Sequence, residues 1–389
     1  MSKVHFLDEF SGYRKVNNGS RTTIRETVKP VETVAGSFTE LPDGNDRDHP
    51  SESTFHNAIK PLILLGQCFG LFPVQGVTFP LASSLRFRIL DFRFIYTCTI
   101  ILTGLFMALV NVYWIASREI KFDNMSPIIW FGTYTVVYAS FTVIAKRWPK
   151  LMMYWEEVEH TISRRSEKHQ ENLKRSIKRA TIIIFTLAAL EHFLSIVNGV
   201  FTARKCKNTS GLVEGYFRQS FPAYYFAFSY NVVSGCFWQM LNLYFAFAWN
   251  FTDSFVITMS MGITTQFRQF NEYIRQYRGQ VLPPEYWDDQ RKYYTALSEL
   301  MSTVDEKIGI ITLISFSMNL YYVCLQLFNS VIPSDTFIRA LYFWYSLCFL
   351  IGRTVAVSFF ASRIHDESKK PIEEMRLIPT AAFTKEVSV

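Results

Sequence analysis

The chain has little charge, no signature of catalysis and no basic-then-apolar pattern at its start. Charged residues make up 19% of its 389 residues, against about 25% in a typical soluble protein. The first residues are polar and lack a basic segment followed by an apolar run, which argues against a cleavable signal peptide. The spacings HExxH, GxSxG, GxGxxG and the P-loop are all missing. We therefore predict no catalytic residue, and an enzyme is only a residual hypothesis.

Cysteine is also sparse, with six residues and no CxxC pair. This spacing predicts neither a disulfide framework nor a metal site, and no cofactor is expected. We interpret the cysteines as small apolar packing residues, since free cysteine is often buried.

Six long apolar runs dominate what is present. Each is long enough for the roughly 17 to 25 residues that a helix needs to cross a bilayer. They are continuous and do not alternate, which excludes a transmembrane β-barrel. The sequence predicts an all-α, polytopic transmembrane helical bundle with six spans, at about Phe94 to Ala116, Ile128 to Ala145, Ala180 to Ala203, Phe221 to Asn250, Ile308 to Ile332 and Phe337 to Ser362.

The remaining segments divide by composition. Residues 1–55 are polar and lack hydrophobic periodicity, which predicts a disordered cytoplasmic tail. Residues 56–93 are predicted to be an interfacial segment before the first span, because the apolar stretch Ala58 to Leu71 is short and is interrupted by Pro61. Residues 94–363 form the bundle. Residues 364–389 are predicted to be a cytoplasmic C-terminal tail in which Glu367 is solvated.

The distribution of Lys and Arg predicts the orientation. Ten of them lie between spans two and three, whereas the loops after spans one, three and five carry two, four and none. The positive-inside rule places the basic loop and the N-terminus in the cytoplasm, and we expect a multi-pass protein of the plasma membrane. The basic loop lacks a nucleic-acid-binding fold, so membrane lipids with anionic headgroups are its expected partner.

Asn208 is the favoured glycosylation candidate. It opens an NTS sequon in a loop assigned to the outside, where modification can occur.

A cytoplasmic helical hairpin is predicted at about residues 253–307. Apolar residues recur at steps of three or four on both sides of the RGQVLPPE segment, and a new helix is expected after Pro283. Such a hairpin can bury its apolar stripes against itself or against a partner subunit, and the pattern does not distinguish the two.

Three ionisable residues lie at membrane depth, away from the ends of the predicted spans, where each costs about 2.5 to 3.5 kcal/mol on insertion scales. Glu191 and His192 occupy span three and are predicted to bind a polar ligand that enters from outside, with a buried structural pair as the alternative. Arg353 in span six is predicted to be structural, tied to helix carbonyls or to a carboxylate.

Amide and aromatic residues recur on single faces of spans four and five. Such faces suit a sugar, because hydroxyls pair with amides while a ring covers the apolar face of a pyranose. Interhelical hydrogen bonding is the competing explanation for each residue taken singly. The predicted ligand-binding residues are Glu191, His192, Asn231, Trp238, Gln239, Asn242, Asn319, Tyr322 and Gln326.

Several segments together resemble the sugar-sensing clade of the insect gustatory receptors. They are Pro61 to Val77 (PLILLGQCFGLFPVQGV), Ser84 to Arg88 (SLRFR), Leu190 to Ser195 (LEHFLS), the aromatic fourth span, and Ser362 to Pro371 (SRIHDESKKP). The resemblance covers most of residues 55–380. It implies a cytoplasmic N-terminus and a ligand-gated cation channel, built as a homo- or hetero-tetramer with other gustatory receptor subunits. It also implies an outer sugar pocket in each subunit and cytoplasmic helix extensions that form a central anchor.

The chain departs from that family in one respect. The family has a seventh, pore-lining helix with a TYxxxxxQF-like signature, whereas this sequence reaches Val389 with no seventh apolar run. We therefore expect a chain truncated before that helix, either an isoform or an incomplete gene prediction.

Two other membrane protein classes are alternatives. A G-protein-coupled chemoreceptor would need an external N-terminus, a seventh helix and DRY-like or NPxxY-like motifs, which the sequence lacks. A solute carrier is the other alternative, although the sequence shows no internal repeat.

Overall fold

The computed structural model describes residues 54–117, 122–163, 167–205, 211–277, 280, 282–331 and 336–375. The predicted tail up to residue 53 and the glycosylation candidate Asn208 lie outside the described residues. The described part of the chain contains no β-strand, which confirms the all-α class. Its α-helices are α1 (Phe55–Cys68), α2 (Phe92–Ala116), α3 (Phe122–Ser163), α4 (Glu167–Lys205), α5 (Leu212–Ser220), α6 (Pro222–Ala227), α7 (Val232–Gln276), α8 (Pro284–Asn329) and α9 (Phe337–Met375).

The six longest helices correspond to the six predicted apolar runs. Five of them, α2, α3, α4, α8 and α9, are long and apolar enough to cross a membrane. The sixth, α7, is not among these five. Its inner half carries a row of buried polar residues, among them Asn250, Thr252, Asp253 and Ser254. Helix α7 packs against α9, α4, α8, α3 and α1, and it is therefore the central helix of the bundle.

The predicted start of span four was wrong. The apolar run from Phe221 is not one helix, because α6 ends at Ala227 and α7 begins at Val232. Asn231 occupies the cap position of α7, where its side-chain oxygen accepts a hydrogen bond from the Val233 amide at 2.8 Å. An apolar run does not reveal such a cap, because the flanking residues on both sides are equally hydrophobic.

Helix α1 is part of the core of the bundle. Phe55, Ile59 and Leu62 are fully buried, and α1 packs against α3, α4 and α7. The ring of Phe55 stacks on Trp155 of α3 at a centroid distance of 4.0 Å. The sequence predicted a segment lying at the membrane interface, and the burial shows in addition that this segment is enclosed by protein. Its depth relative to the bilayer stays a prediction.

The inner extensions of α7, α8 and α9 pack together. Phe270 of α7 lies 5.1 Å from the ring of Tyr293 of α8, so the hairpin buries its stripes within one chain. Asn271 donates hydrogen bonds to the carbonyl and carboxylate oxygens of Glu367 at 3.0 and 3.2 Å. Helix α9 continues to Met375, and Glu367 is 7% exposed. The expectation of a solvated Glu367 was therefore wrong, because the last helix extends past its apolar part to pair with α7.

Candidate ligand-binding region

A line of polar residues follows the contact between the antiparallel helices α8 and α9. Gln326 meets Ser346, and Asn319 meets Arg353, through direct hydrogen bonds of 2.9 and 3.4 Å. The two contacts are separated by seven residues on each helix, which corresponds to about 10 Å along the helix axis. Three groups of side chains are arranged along this line, and we describe them from the predicted outer end inward.

The outer polar cluster consists of Glu191, Ser346 and Gln326. The Ser346 hydroxyl donates to Glu191 Oε1 at 3.0 Å and accepts a hydrogen bond from the Gln326 amide. A hydroxyl has one hydrogen and two lone pairs, so this single side chain satisfies both neighbours. The cluster joins α4, α8 and α9. His192, the next residue of α4 after Glu191, is half-buried.

The aromatic cluster lies farther in and consists of four rings from α3, α7 and α8: Trp130, Tyr134, Trp249 and Tyr322. Trp249 lies 4.8 Å from Tyr322 and 5.6 Å from Trp130, measured between ring centroids. Trp130 and Tyr134 are separated by 4.6 Å. These separations are typical of favourable aromatic pairs.

Both indole nitrogens of the aromatic cluster donate to amide side chains. Trp130 Nε1 donates to Asn242 Oδ1 at 3.0 Å, and Trp249 Nε1 donates to Asn319 Oδ1 at 2.9 Å. A buried indole N–H needs an acceptor, and these two bonds fix the orientations of the rings.

The charged cluster is the innermost group and is centred on the ion pair between Asp253 and Arg353. Arg353 Nε lies 2.7 Å from Asp253 Oδ2, and the two residues are 5% and 0% exposed. Asp253 also accepts hydrogen bonds from the Ser315 hydroxyl and from the Asn319 amide, the latter at 3.2 and 3.3 Å. Arg353 donates a further hydrogen bond to Asn250 Oδ1 at 2.5 Å. Both buried charges therefore have opposite-charge and hydrogen-bonding partners, as burial requires.

The charged and aromatic clusters share two residues. The guanidinium of Arg353 lies over the ring of Trp249 at 4.2 Å, within the range of a cation–π interaction. Asn319 contacts Trp249, Arg353 and Asp253 at once. The Trp249 ring is therefore in direct contact with the Arg353 side of the ion pair.

Five predicted ligand residues lie along this polar line. Glu191 and Gln326 meet through Ser346, while Asn319, Tyr322 and Asn242 contact the rings farther in. His192 lies next to Glu191 in the sequence. Their role in binding stays a prediction.

The other three predicted ligand residues lie elsewhere. Asn231 caps α7. Gln239 accepts a hydrogen bond from Tyr216 of α5 at 3.1 Å, and the Trp238 ring stacks on Phe106 of α2 at 5.8 Å. The helical spacing predicted one shared face for these residues and Asn242, whereas in the structure Trp238 contacts α2, Gln239 contacts α5 and Asn242 contacts α3.

Sequence reasoning missed Asp253, Asn250, Ser346 and Trp130. Asp253 was assigned to the cytoplasmic hairpin because span four was expected to end at Asn250. One signal was present, since a buried Arg353 requires a carboxylate partner. Ser346 gave no signal, because a lone serine is common in membrane helices.

The fold identifies the class of protein first. Over 84% of this chain and 83% of the other, it is similar to the insect olfactory receptor OR5 from Machilis hrabei, with a TM-score of 0.56 at 11% sequence identity. The bundle thus has the fold of this olfactory receptor, and five of its helices are long and apolar enough to cross a membrane.

The sequence then gives the family. Residues 15–389 match the trehalose receptor family, and the chain belongs to it. It is 30% identical over 378 residues to the gustatory receptor for sugar taste 64f of Drosophila melanogaster, covering 97% of this chain and 81% of that one. It is 28% identical over 345 residues to the gustatory receptor 5a for trehalose of the same organism, covering 88% and 78%. The resemblance noted in the sequence is therefore confirmed, and the chain is a multi-pass protein of the plasma membrane.

Proposed function

We propose that this chain is a taste receptor subunit for sugars, not an enzyme, and that it acts within a ligand-gated cation channel. Family membership and the similarity to sugar-taste receptors support the class of ligand. The observation that carries the proposal is the aromatic cluster, where two indoles and a tyrosine ring meet amide side chains within the bundle.

The chemistry of the cluster suits a pyranose. The C–H groups on one face of a sugar ring pack against an indole, whereas its hydroxyls need donors and acceptors at the rim. Trp130, Trp249 and Tyr322 supply rings, and Asn242 supplies an amide. The carboxylate of Glu191, which meets α8 at the level of Gln326, about one helical turn from Tyr322, accepts hydrogen bonds from further hydroxyls.

Binding at this place has a route to gating. A ligand that contacts the rings touches α3, α7 and α8 directly, and it reaches α9 through Arg353, whose guanidinium lies over the Trp249 ring. A sugar shifts the closed-to-open equilibrium only by the difference between its affinities for the two states. We infer that the open state presents the rings in the arrangement that binds sugar better, within a homo- or hetero-tetramer of gustatory receptor subunits in a lipid membrane.

The test measures trehalose affinity of the purified full chain in lipid nanodiscs. We expect Trp130→Ala to weaken binding at least tenfold, because it removes a ring and leaves Asn242 without its indole donor. The matched control is Trp344→Ala, since Trp344 is a tryptophan of α9 that is 60% exposed. Equal affinity of the wild-type chain and the Trp130→Ala variant would contradict the proposed site.

A further inference from the structure

We propose that Asn319 and the Asp253–Arg353 ion pair are positioning residues that hold the Trp249 ring in its binding orientation. The proposal rests on the proposed function for the ligand, whereas the positioning of the ring is independent of any ligand. It gives the buried ion pair a role beyond holding helices together.

The orientation of the Asn319 amide is determined by its neighbours. Its oxygen accepts hydrogen bonds from Trp249 Nε1 at 2.9 Å and from Arg353 at 3.4 Å, and its nitrogen donates to the Asp253 carboxylate at 3.2 Å. A flipped amide would direct its nitrogen toward two donors and its oxygen toward an anion. The charges of the ion pair thus fix the amide, and the amide fixes the indole N–H.

A second set of contacts restrains the Trp249 ring through its face. The planar guanidinium of Arg353 lies 4.2 Å from the ring, and Tyr322 lies 4.8 Å from it. Asp253 pairs with the same guanidinium through Nε at 2.7 Å, so the carboxylate sets where the cation lies over the ring. The hydrogen bond restrains the edge of the indole and the guanidinium restrains its face, so the two contacts limit different movements of the ring.

The residues come from three helices. Trp249 and Asp253 are one turn apart on α7 and face the same side, while Asn319 belongs to α8 and Arg353 to α9. A relative shift of α8 or α9 therefore moves a partner of Trp249. By linkage, a sugar bound against Trp249 favours one arrangement of the three helices.

A purely stabilising role accounts less well for this arrangement. Buried ion pairs are weak sources of stability, because desolvation offsets most of their attraction, and apolar residues of similar size serve as well or better. Such pairs are best explained where they specify one geometry among several. Here the geometry they specify includes the orientation of a ring in the candidate site.

The experiment uses the purified full chain and two readouts. Near-ultraviolet circular dichroism reports on the fixed environment of the indoles, and Trp249→Phe defines the contribution of that ring. Trehalose affinity is measured on the same samples. The test variants are Asn319→Leu, which removes both amide contacts, and Arg353→Lys, which keeps the charge opposite Asp253 but removes the planar group over the ring.

The matched control is Asn111→Leu. Asn111 is a buried amide of α2, 3% exposed, whose side chain donates to the Met107 carbonyl of its own helix at 2.8 Å. The contribution of Trp249 to the near-ultraviolet circular dichroism is called the Trp249 band. If the three residues position the ring, each test variant should lose this band and bind trehalose at least tenfold more weakly. The control variant should keep most of the band and most of the affinity. If Asn319→Leu does not fold, Arg353→Lys alone decides the question.

The possible outcomes separate the two proposals. An unchanged Trp249 band in the folded test variants overturns the positioning role, whether or not sugar binds. A lost band with unchanged affinity overturns the link to the ligand. A lost band together with no trehalose binding by the wild-type chain supports positioning and refutes the proposed function.

Discussion

Arg353 of α9 and Asp253 of α7 form an ion pair inside the bundle, with 2.7 Å between Nε and Oδ2. The pair is separated by 100 residues in the sequence, and it fixes the level at which α9 crosses α7. Since Asn319 of α8 bonds both partners, one contact sets the register of three helices.

Loss of one partner of this pair is expected to be more harmful than loss of both. Asp253→Leu leaves a buried cation and Arg353→Leu leaves a buried anion, each at a cost of about 3 to 5 kcal/mol in stability. The double variant removes both charges and should recover much of that loss. Thermal unfolding of the purified chain measures all three, and a double variant no more stable than the singles would exclude direct pairing.

The hydroxyl of Ser346 is expected to matter for ligand affinity. Ser346→Ala breaks the bridge between Gln326 and Glu191, and hydrogen bonds to a charged group contribute about 1.5 to 3 kcal/mol. If Glu191 contacts the sugar, trehalose affinity should fall roughly tenfold to a hundredfold. Ser358→Ala is the matched control, because Ser358 is an exposed serine of the same helix. Equal loss in both variants would argue against a role for the bridge.

Glu159 is expected to hold the start of α1 in the bundle. Both of its carboxylate oxygens accept from the Phe55 amide, at 3.1 and 3.2 Å, and Gln266 of α7 donates to Oε1 at 3.1 Å. Glu159→Gln replaces one acceptor with a donor facing that amide, which should reduce stability by about 1 to 3 kcal/mol.

A protease or hydrogen-exchange experiment locates the effect. Amide exchange should rise mainly in α1, because its first amide, that of Phe55, loses a carboxylate acceptor while the longer helices keep their partners. Glu157→Gln changes an exposed carboxylate two residues away and serves as control. If amide exchange in α1 were the same in the Glu159→Gln and Glu157→Gln variants, α1 would not depend on Glu159.

The sequence was sufficient to predict the class, the long helices and the family, and the reasons are physical. Continuous apolar runs such as the one from Phe94 to Ala116 have few structures available to them in a membrane protein. The positions of polar contacts were not predictable in the same way. Asp253 lies only three residues past the expected end of a span, and hydropathy does not tell a charge that pairs inside the bundle from one in water.

The candidate site was recovered in part for a similar reason. Asn319, Tyr322 and Gln326 step by three and four, so their common face followed from helix geometry alone. Which helix that face meets is a tertiary property. Ser346 and Trp130 entered the site because α9 and α3 happen to face α8 there, and neither residue type signals such a role in a sequence.

Acidification is expected to destabilise the chain through His56 of α1. Burial is the largest effect on the pKa of His56 and lowers it, and the nearby charge of Lys60 lowers it further. The hydrogen bond to the Phe79 carbonyl and the charge of Glu156 raise the pKa, but they only partly offset this lowering. The folded state therefore binds a proton less readily than the unfolded state, whose histidine titrates near 6.5. The stability that this shift contributes is fully present above that pH and declines as the pH falls from about 6.5 toward the lower folded pKa.

The variant His56→Gln keeps a donor for the Phe79 carbonyl and should flatten the dependence of the unfolding temperature on pH between about 7 and 5. The exposed His160→Gln control should retain it, and equal slopes in the wild-type chain and the His56→Gln variant would assign the acid sensitivity to another group.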